Sequence, residues 1–424
     1  MSAKITNIDA REIIDCRGDP TLEVSVKTEN DIEGRAMVPC GRSRGRHEAV
    51  ELRDGGSRYG GRGVRQAAQN VREVIAPQIR GRDVKKQRSL DKAMIELDGT
   101  EDKSNLGANA ILGVSLAAAK ASAVELDVGF YQRIGGLNSY LLPVPVFDVI
   151  EGGLLAATDL DFQEHQILPV GASSFSEALR MGQEVYQKLG EIVESKWGKH
   201  SLNVGVEGGY TPPGLSDPRE ALSAAWRAIE SLGYDDDFGL GLDVAASHFY
   251  DSDSGTYSFM NDNLSPDEMI EYYSELCRDY PILSIEDPLE EDDFEGYSKL
   301  TDRLDIQIVG DDLFVTNPSR LRQGIEQSAG NALLLKANQI GTLTETLDAA
   351  ELAFRNGYGV QVSERSGQTE DTWLADLTVG INAGQIKTGM TRGERTAKYN
   401  RLLRIERELG SGAGYAGPKF RTLL

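Results

Sequence analysis

The sequence predicts an α/β protein in two parts: an N-terminal α+β domain over residues 1–136 and a C-terminal (β/α)8-type barrel over residues 137–424. Three observations carry this expectation. The chain has 424 residues, more than one ordinary globular core accommodates. Its first part alternates apolar and polar residues in the period of strands and then turns to helical spacing. The remainder repeats short apolar runs, each followed by a helical stretch, which is the pattern of βα units.

Taken in order, ITNIDAREI and TLEVSVKTE read as half-buried strands. VRQAAQNVREVIAPQI, SLDKAMIEL and ANAILGVSLAAAKASAVEL read as helices, the last apolar on most faces and therefore buried. Strands followed by helices give an α+β domain. After LLPVPVFDVIEGG the runs LGLDVA, ILSIEDP, IQIVGDD, ALLLKA, GVQVSE and QIKTG appear. Helical stretches such as SPDEMIEYYSELCRDY and LTETLDAAELAFRNG separate them. About eight parallel units of this kind close a barrel. The glycine-rich tail GSGAGYAGPKF reads as loosely packed, with its aromatic residues docking it.

Composition narrows the function classes. Hydrophobic residues make up 40% of the chain, which fits an enzyme core and not a disordered or fibrous protein. The net charge of −22 opposes nucleic acid and anionic membrane as partners. No apolar run reaches the length of a membrane span, and the start MSAKITNIDAREI lacks a signal-peptide region, so a cytoplasmic protein is expected. Cys16, Cys40 and Cys277 are widely spaced and odd in number, and read as reduced thiols.

The charged residues fall in a pattern. Asp243, Glu286, Asp311, Lys336, Glu364 and Lys387 each stand at the C-terminal end of an apolar run. In a β/α barrel those ends meet on one rim, where chemistry is placed. A single acid there would read as a helix N-cap. Six in succession, two of them lysines, read as an active site. Carboxylates without histidine make a hard oxygen site, which favours Mg²⁺. Two lysines imply an anionic substrate, and one of them, lowered in pKa by nearby cations, would serve as a base. Lysine with Mg²⁺ suits removal of a proton beside a carboxylate.

These residues lie in longer blocks that resemble the enolase family from end to end. CRGDPTLEV, GVEGGYTPP, LDVAASHFY, SIEDPLEEDDF, VGDDLFVTNP, LLLKANQIGTLTET, SERSGQTEDTWLADL, GQIKTG and ERTAKYNRLLRIERELG match enolase blocks in order. The resemblance implies two Mg²⁺ per site, the tighter held by Asp243, Glu286 and Asp311, with Ser43 near the second. It implies Lys336 as the base, and Glu207 with Glu164 at the leaving hydroxyl. Arg365 and Ser366 would hold the phosphate and Lys387 the carboxylate end, with Gln163 on the same rim. A lid around residues 40–45 and a homodimer or higher homo-oligomer are implied as well.

The chain departs from the family at the lids and near the hydroxyl. SGAST has become CGRSR, bringing Arg42 and Arg44, with Arg46 just beyond; NGGSHAGN has become EGGLLAAT, placing Glu151 for asparagine and Leu155 for histidine. DEGG is now VEGG, and SHRSGE is now SERSGQ, with Glu364 where the family has histidine. The leading expectation is an Mg²⁺-dependent lyase acting on 2-phosphoglycerate or phosphoenolpyruvate, or on a close relative of these. A second is an enzyme like the carboxyphosphonoenolpyruvate synthases of phosphonate biosynthesis, its lid arginines holding a second anion. A third is a non-catalytic binding protein derived from an enolase.

Overall fold

The computed structural model describes residues 2–41 and 45–421. The chain begins with an antiparallel sheet of Ile5–Ile14, Pro20–Thr28 and Glu33–Met37 in that order. Its apolar side, with Ile8, Leu22, Val24 and Ala36 buried, packs against the long helix Ala108–Glu125. That helix is buried over most of its surface, as its alanine-rich sequence predicts. The segment Arg65–Ile79 is one helix interrupted by a π turn at Val71–Ile75. The turn stands just before Pro77, whose ring nitrogen has no hydrogen to donate back along the helix.

Eight strands then close a barrel. In order around it they are Val144–Glu151, Glu164–Leu168, Gly239–Asp243, Ile282–Glu286, Gln307–Gly310, Ala332–Leu335, Gly359–Ser363 and Gly384–Lys387. The barrel is not wholly parallel, as repeated βα units led us to expect. Glu164–Leu168 runs antiparallel to both neighbours. The reason lies in the connection: only a short loop with a 3₁₀ turn at Gly153–Leu155 joins the first two strands, and a hairpin can reach only an antiparallel partner.

The reversal matters for the site. Glu164 is the first residue of its strand, yet it pairs in register with Glu151 and Asp243, which end theirs. An N-terminal carboxylate therefore joins the rim formed by the C-terminal ends of the other seven strands. Inside the barrel, Gln307 Nε2 donates to Ser284 Oγ at 3.0 Å and to Gln385 Oε1 at 2.8 Å. Gln385 Nε2 donates to the Phe420 carbonyl at 3.0 Å. The glycine-rich tail docks as expected: Ala416 and Phe420 are buried against Val144, Val146 and Leu168. No helix among the described residues is long and apolar enough to cross a membrane.

Candidate functional site

Six strand ends deliver the predicted side chains to one rim. Asp243, Glu286 and Lys387 are the last residues of their strands; Asp311, Lys336 and Glu364 each follow one immediately. Gln163, Glu164, Glu207, Arg365, Ser366 and Leu155 line the same cavity. It encloses about 30 Å³, room for one water and far less than a small-molecule site needs. Ion pairs among its own walls close it.

Lys387 Nζ lies 2.7 Å from Glu164 Oε2, 2.9 Å from Asp243 Oδ2 and 2.8 Å from Glu286 Oε2. Burial would lower this lysine, but three carboxylates hold it well above its ordinary value. Gln163 Nε2 donates to Asp243 Oδ2 at 3.0 Å. Lys336 Nζ pairs with Asp311 Oδ2, and Gln339 Nε2 donates to Asp311 Oδ1 at 2.7 Å. The expected lowering of Lys336 is not found. Burial presses its pKa down most, helped by Arg365 and Lys387, but the carboxylates of Asp311 and Glu286 act against it and the net shift is upward.

The expected metal ligands Asp243, Glu286 and Asp311 share the rim, but Lys387 and Lys336 stand among them. Two other carboxylate trios bring an oxygen from each member within 4.8 Å: Asp148 with Glu164 and Glu207, and Asp287 with Asp311 and Asp312. Asp287 is a structural member, since it accepts from the backbone of Asp311 at 2.9 Å, of Asp312 at 2.8 Å, and from Tyr297 Oη at 3.0 Å. In the first trio burial pushes Asp148 up to about 8. Burial and the Asp148 carboxylate also raise Glu164, against Lys387.

Arg365 is buried and forked onto a residue that sequence reasoning missed. Its two terminal nitrogens donate to Glu48 Oε2 at 2.9 Å and Oε1 at 3.0 Å. The backbone at Gly41 passes so close that a Cβ there would lie 1.9 Å from the guanidinium. Cys40 and Gly367 exchange two backbone hydrogen bonds of 2.8 Å, stitching the Cys40 segment to the Ser366 segment, and Arg17 donates to Ser366 Oγ at 3.1 Å. Arg42, Ser43 and Arg44 lie outside the described residues. Arg46 does not face the cavity as a lid cation should: its guanidinium pairs with Glu290, Glu291 and Asp292. A run of three acids beside it is a stronger local attraction than an open site.

Glu364 is fully enclosed and pairs with Arg395, another residue missed from sequence. Arg395 also donates to the carbonyls of Arg365 at 3.0 Å and Ser366 at 3.1 Å. Glu364 is therefore not a bare anion facing substrate. Burial pushes its carboxyl up to about 8, against the pull of Arg395.

Glu151 holds the loop that carries Glu207. Its carboxylate accepts from the backbone of Glu207 at 3.1 Å and of Gly209 at 2.5 Å. Between them Gly208 takes φ +103°, a conformation side-chained residues avoid. Burial, with Glu207 beside it, pushes Glu151 up to about 8. Glu151→Ala would leave two buried N–H groups unpaired, at about 1–3 kcal/mol each. A displaced Glu207 should then cost turnover about 10- to 100-fold with KM little changed. Glu151→Gln, which keeps a carbonyl acceptor, should recover most of the loss in the same steady-state assay.

A family model described as "Enolase, N-terminal domain" matches residues 5–134, and one described as "Enolase, C-terminal TIM barrel domain" matches residues 139–424. The enolase of Methanocaldococcus jannaschii is 57% identical, over 99% of this chain and 98% of its own length. That of Methanopyrus kandleri is 57% identical over 98% of each. That of Thermococcus kodakarensis is 56% identical over 99% of this chain and 98% of its own.

Proposed function

The chain belongs to the enolase family, and from that premise we propose that it is an Mg²⁺-dependent lyase acting on 2-phosphoglycerate and phosphoenolpyruvate. The observation that carries this reading is the rim itself: Lys387 among Glu164, Asp243 and Glu286, with Lys336 on Asp311. The donor set fits a hard cation, being all oxygen, and Glu286 Oε1 is buried with no hydrogen-bond partner among the described residues. Asp243, Glu286 and Asp311 would hold the ion, with Ser43 assigned to a second. Bound there, Mg²⁺ supplies positive charge beside an enolate and its carboxylate.

The side chains divide the remaining work. Lys336 is the base for the carbon beside the carboxylate; its partner in this structure, Asp311, is one of the residues that would hold the ion. Glu164, whose pKa burial and Asp148 raise, is the acid placed for the departing hydroxyl, with Glu207 in the same cluster. Arg365 and Ser366 take the phosphate, Glu48 giving up the guanidinium fork as it arrives. Lys387 and Gln163 face the carboxylate end. Three cysteines with no disulfide between them suit a reducing compartment, and we place the enzyme in the cytoplasm.

A coupled assay tests this directly. Purified protein with Mg²⁺ should dehydrate 2-phosphoglycerate with kcat on the order of 10 per second or more, and chelation should abolish the activity reversibly. Absence of dehydration under these conditions rejects the reading. Calorimetry of Asp311→Ala should show Mg²⁺ binding largely lost; unchanged affinity would move the ion to other ligands.

A further inference from the structure

Glu364 stands just past the strand Gly359–Ser363 and lines the rim cavity together with Glu164, Glu207 and Lys387. Its two oxygens are not equivalent. Oε2 accepts from the Arg395 guanidinium and from Thr388 Oγ1 at 3.0 Å. Oε1 is buried with no hydrogen-bond partner among the described residues. Buried polar atoms are nearly always paired, so an oxygen left open on the wall of a cavity is a position for a ligand. Gly389 shows where that oxygen lies. A Cβ on this residue would meet the Glu207 carbonyl at 2.4 Å, Glu364 Oε1 at 2.9 Å and the Glu207 Cβ at 3.2 Å. Oε1 is thus set beside Glu207, at the end of the cavity assigned above to the departing hydroxyl.

The surroundings favour a proton on this carboxyl. Burial pushes it up to about 8, helped by Glu207 and opposed by Arg395 and Lys398 of the helix Gly393–Leu409. Asp148 on the strand Val144–Glu151 and Tyr399 on that helix also lie within reach of its charge. The proton belongs on Oε1, because Oε2 already accepts twice. A carboxyl kept neutral in this way can donate a hydrogen bond, which an ionised one cannot.

We propose that Glu364 is a further catalytic residue, its Oε1–H donating a hydrogen bond to the oxygen of the departing hydroxyl. This role rests on the dehydration proposed above. In that reaction the carbon–oxygen bond breaks with its electron pair going to oxygen, Glu164 supplies the proton, and water leaves. Glu364 keeps its own proton throughout. It stabilises the negative charge that gathers on the departing oxygen, an interaction made mainly in the transition state.

Steady-state dehydration of 2-phosphoglycerate by wild type, Glu364→Leu and Glu364→Gln tests it. Glu364→Leu should lose about 10²- to 10³-fold in kcat with KM little changed, as when a single transition-state donor is removed. Glu364→Gln keeps an N–H donor that does not titrate. Its turnover relative to wild type should therefore rise about tenfold as pH climbs from about 7 to 9, and the ratio cancels the other groups that titrate in the cavity. An infrared difference between wild type and Glu364→Gln should show the carbonyl band of a protonated carboxyl at neutral pH, lost above about 8. A flat ratio, or no such band at neutral pH, overturns the proposal. So does a Glu364→Leu enzyme that is folded by its thermal melt and turns over within about threefold of wild type, far short of the usual loss. Should Glu364→Leu not fold, the ratio and the infrared band decide. Absence of dehydration in wild type rejects the lyase reading and this role with it, whereas an active wild type with a flat ratio rejects this role alone.

Discussion

Lys336→Ala should lower kcat for 2-phosphoglycerate on the order of 10² to 10⁴-fold, the usual contribution of a positioned general base. The prediction rests on where the ammonium stands: just past the strand Ala332–Leu335, on the rim, paired with Asp311 alone among the carboxylates. Removing it should also leave Asp311 without its counter-ion, so Mg²⁺ should bind at least as tightly as in wild type. A loss confined to turnover, with metal and substrate affinity retained, marks an interaction made in the transition state. Exchange of the substrate's α-proton with solvent deuterium isolates the step. It should fall in parallel with kcat, and near-wild-type exchange in this variant would assign the base to another residue. Lys387 offers the contrast. It sits in contact with three carboxylates, so Lys387→Ala should disturb metal and substrate binding as well as turnover.

Much of this was legible in the sequence because the barrel turns position along the chain into position on a rim. Asp243, Glu286, Asp311, Lys336, Glu364 and Lys387 could be placed together from strand ends alone, with no knowledge of distances. The strand at Glu164–Leu168 was not legible in the same way. Its direction depends on the length of the preceding loop, and apolar periodicity carries no sign of direction. Partners supplied from far away in sequence were also hidden. Glu48 reaches Arg365 across 317 positions and Arg395 reaches Glu364 across 31, and neither has a local pattern that distinguishes it from a surface charge. Asp148 did carry a signal, an acid inside the apolar run VPVFDVI. The lid arginines show the opposite error. Arg46 was grouped with Arg42 and Arg44 by proximity in sequence, but the acids at 290–292 claim it. With Arg46 so engaged, the phosphonate-type alternative has lost one of the three cations on which it rested.

The second large effect is on stability and comes from Arg395. Its side chain is fully buried and holds Glu364 together with the carbonyls of Arg365 and Ser366. In Arg395→Met those acceptors lose their donor, costing about 1–3 kcal/mol for each left unsatisfied. The charge adds a part that depends on pH. Glu364 is raised from its ordinary 4.5 to about 8 in the folded protein. A carboxyl raised on folding contributes stability that is complete below about 4.5 and is lost as pH climbs through about 8. Without Arg395 its folded pKa should rise further, so the loss in the variant should continue beyond the point where wild type levels off. Denaturant unfolding should therefore show a gap between wild type and Arg395→Met that is nearly constant from pH 6 to 7.5. Above pH 8 the gap should widen toward the cost of an unpaired buried charge, about 3–5 kcal/mol. Adding Glu364→Gln removes the titrating group, so the double variant should keep the constant part of the gap and lose the widening. A gap that stays flat from pH 6 to 9.5 in the single variant would show that Glu364 carries no charge for Arg395 to balance. The carbonyls of residues 365 and 366 would then be the whole of what Arg395 holds in place beside the proposed phosphate subsite.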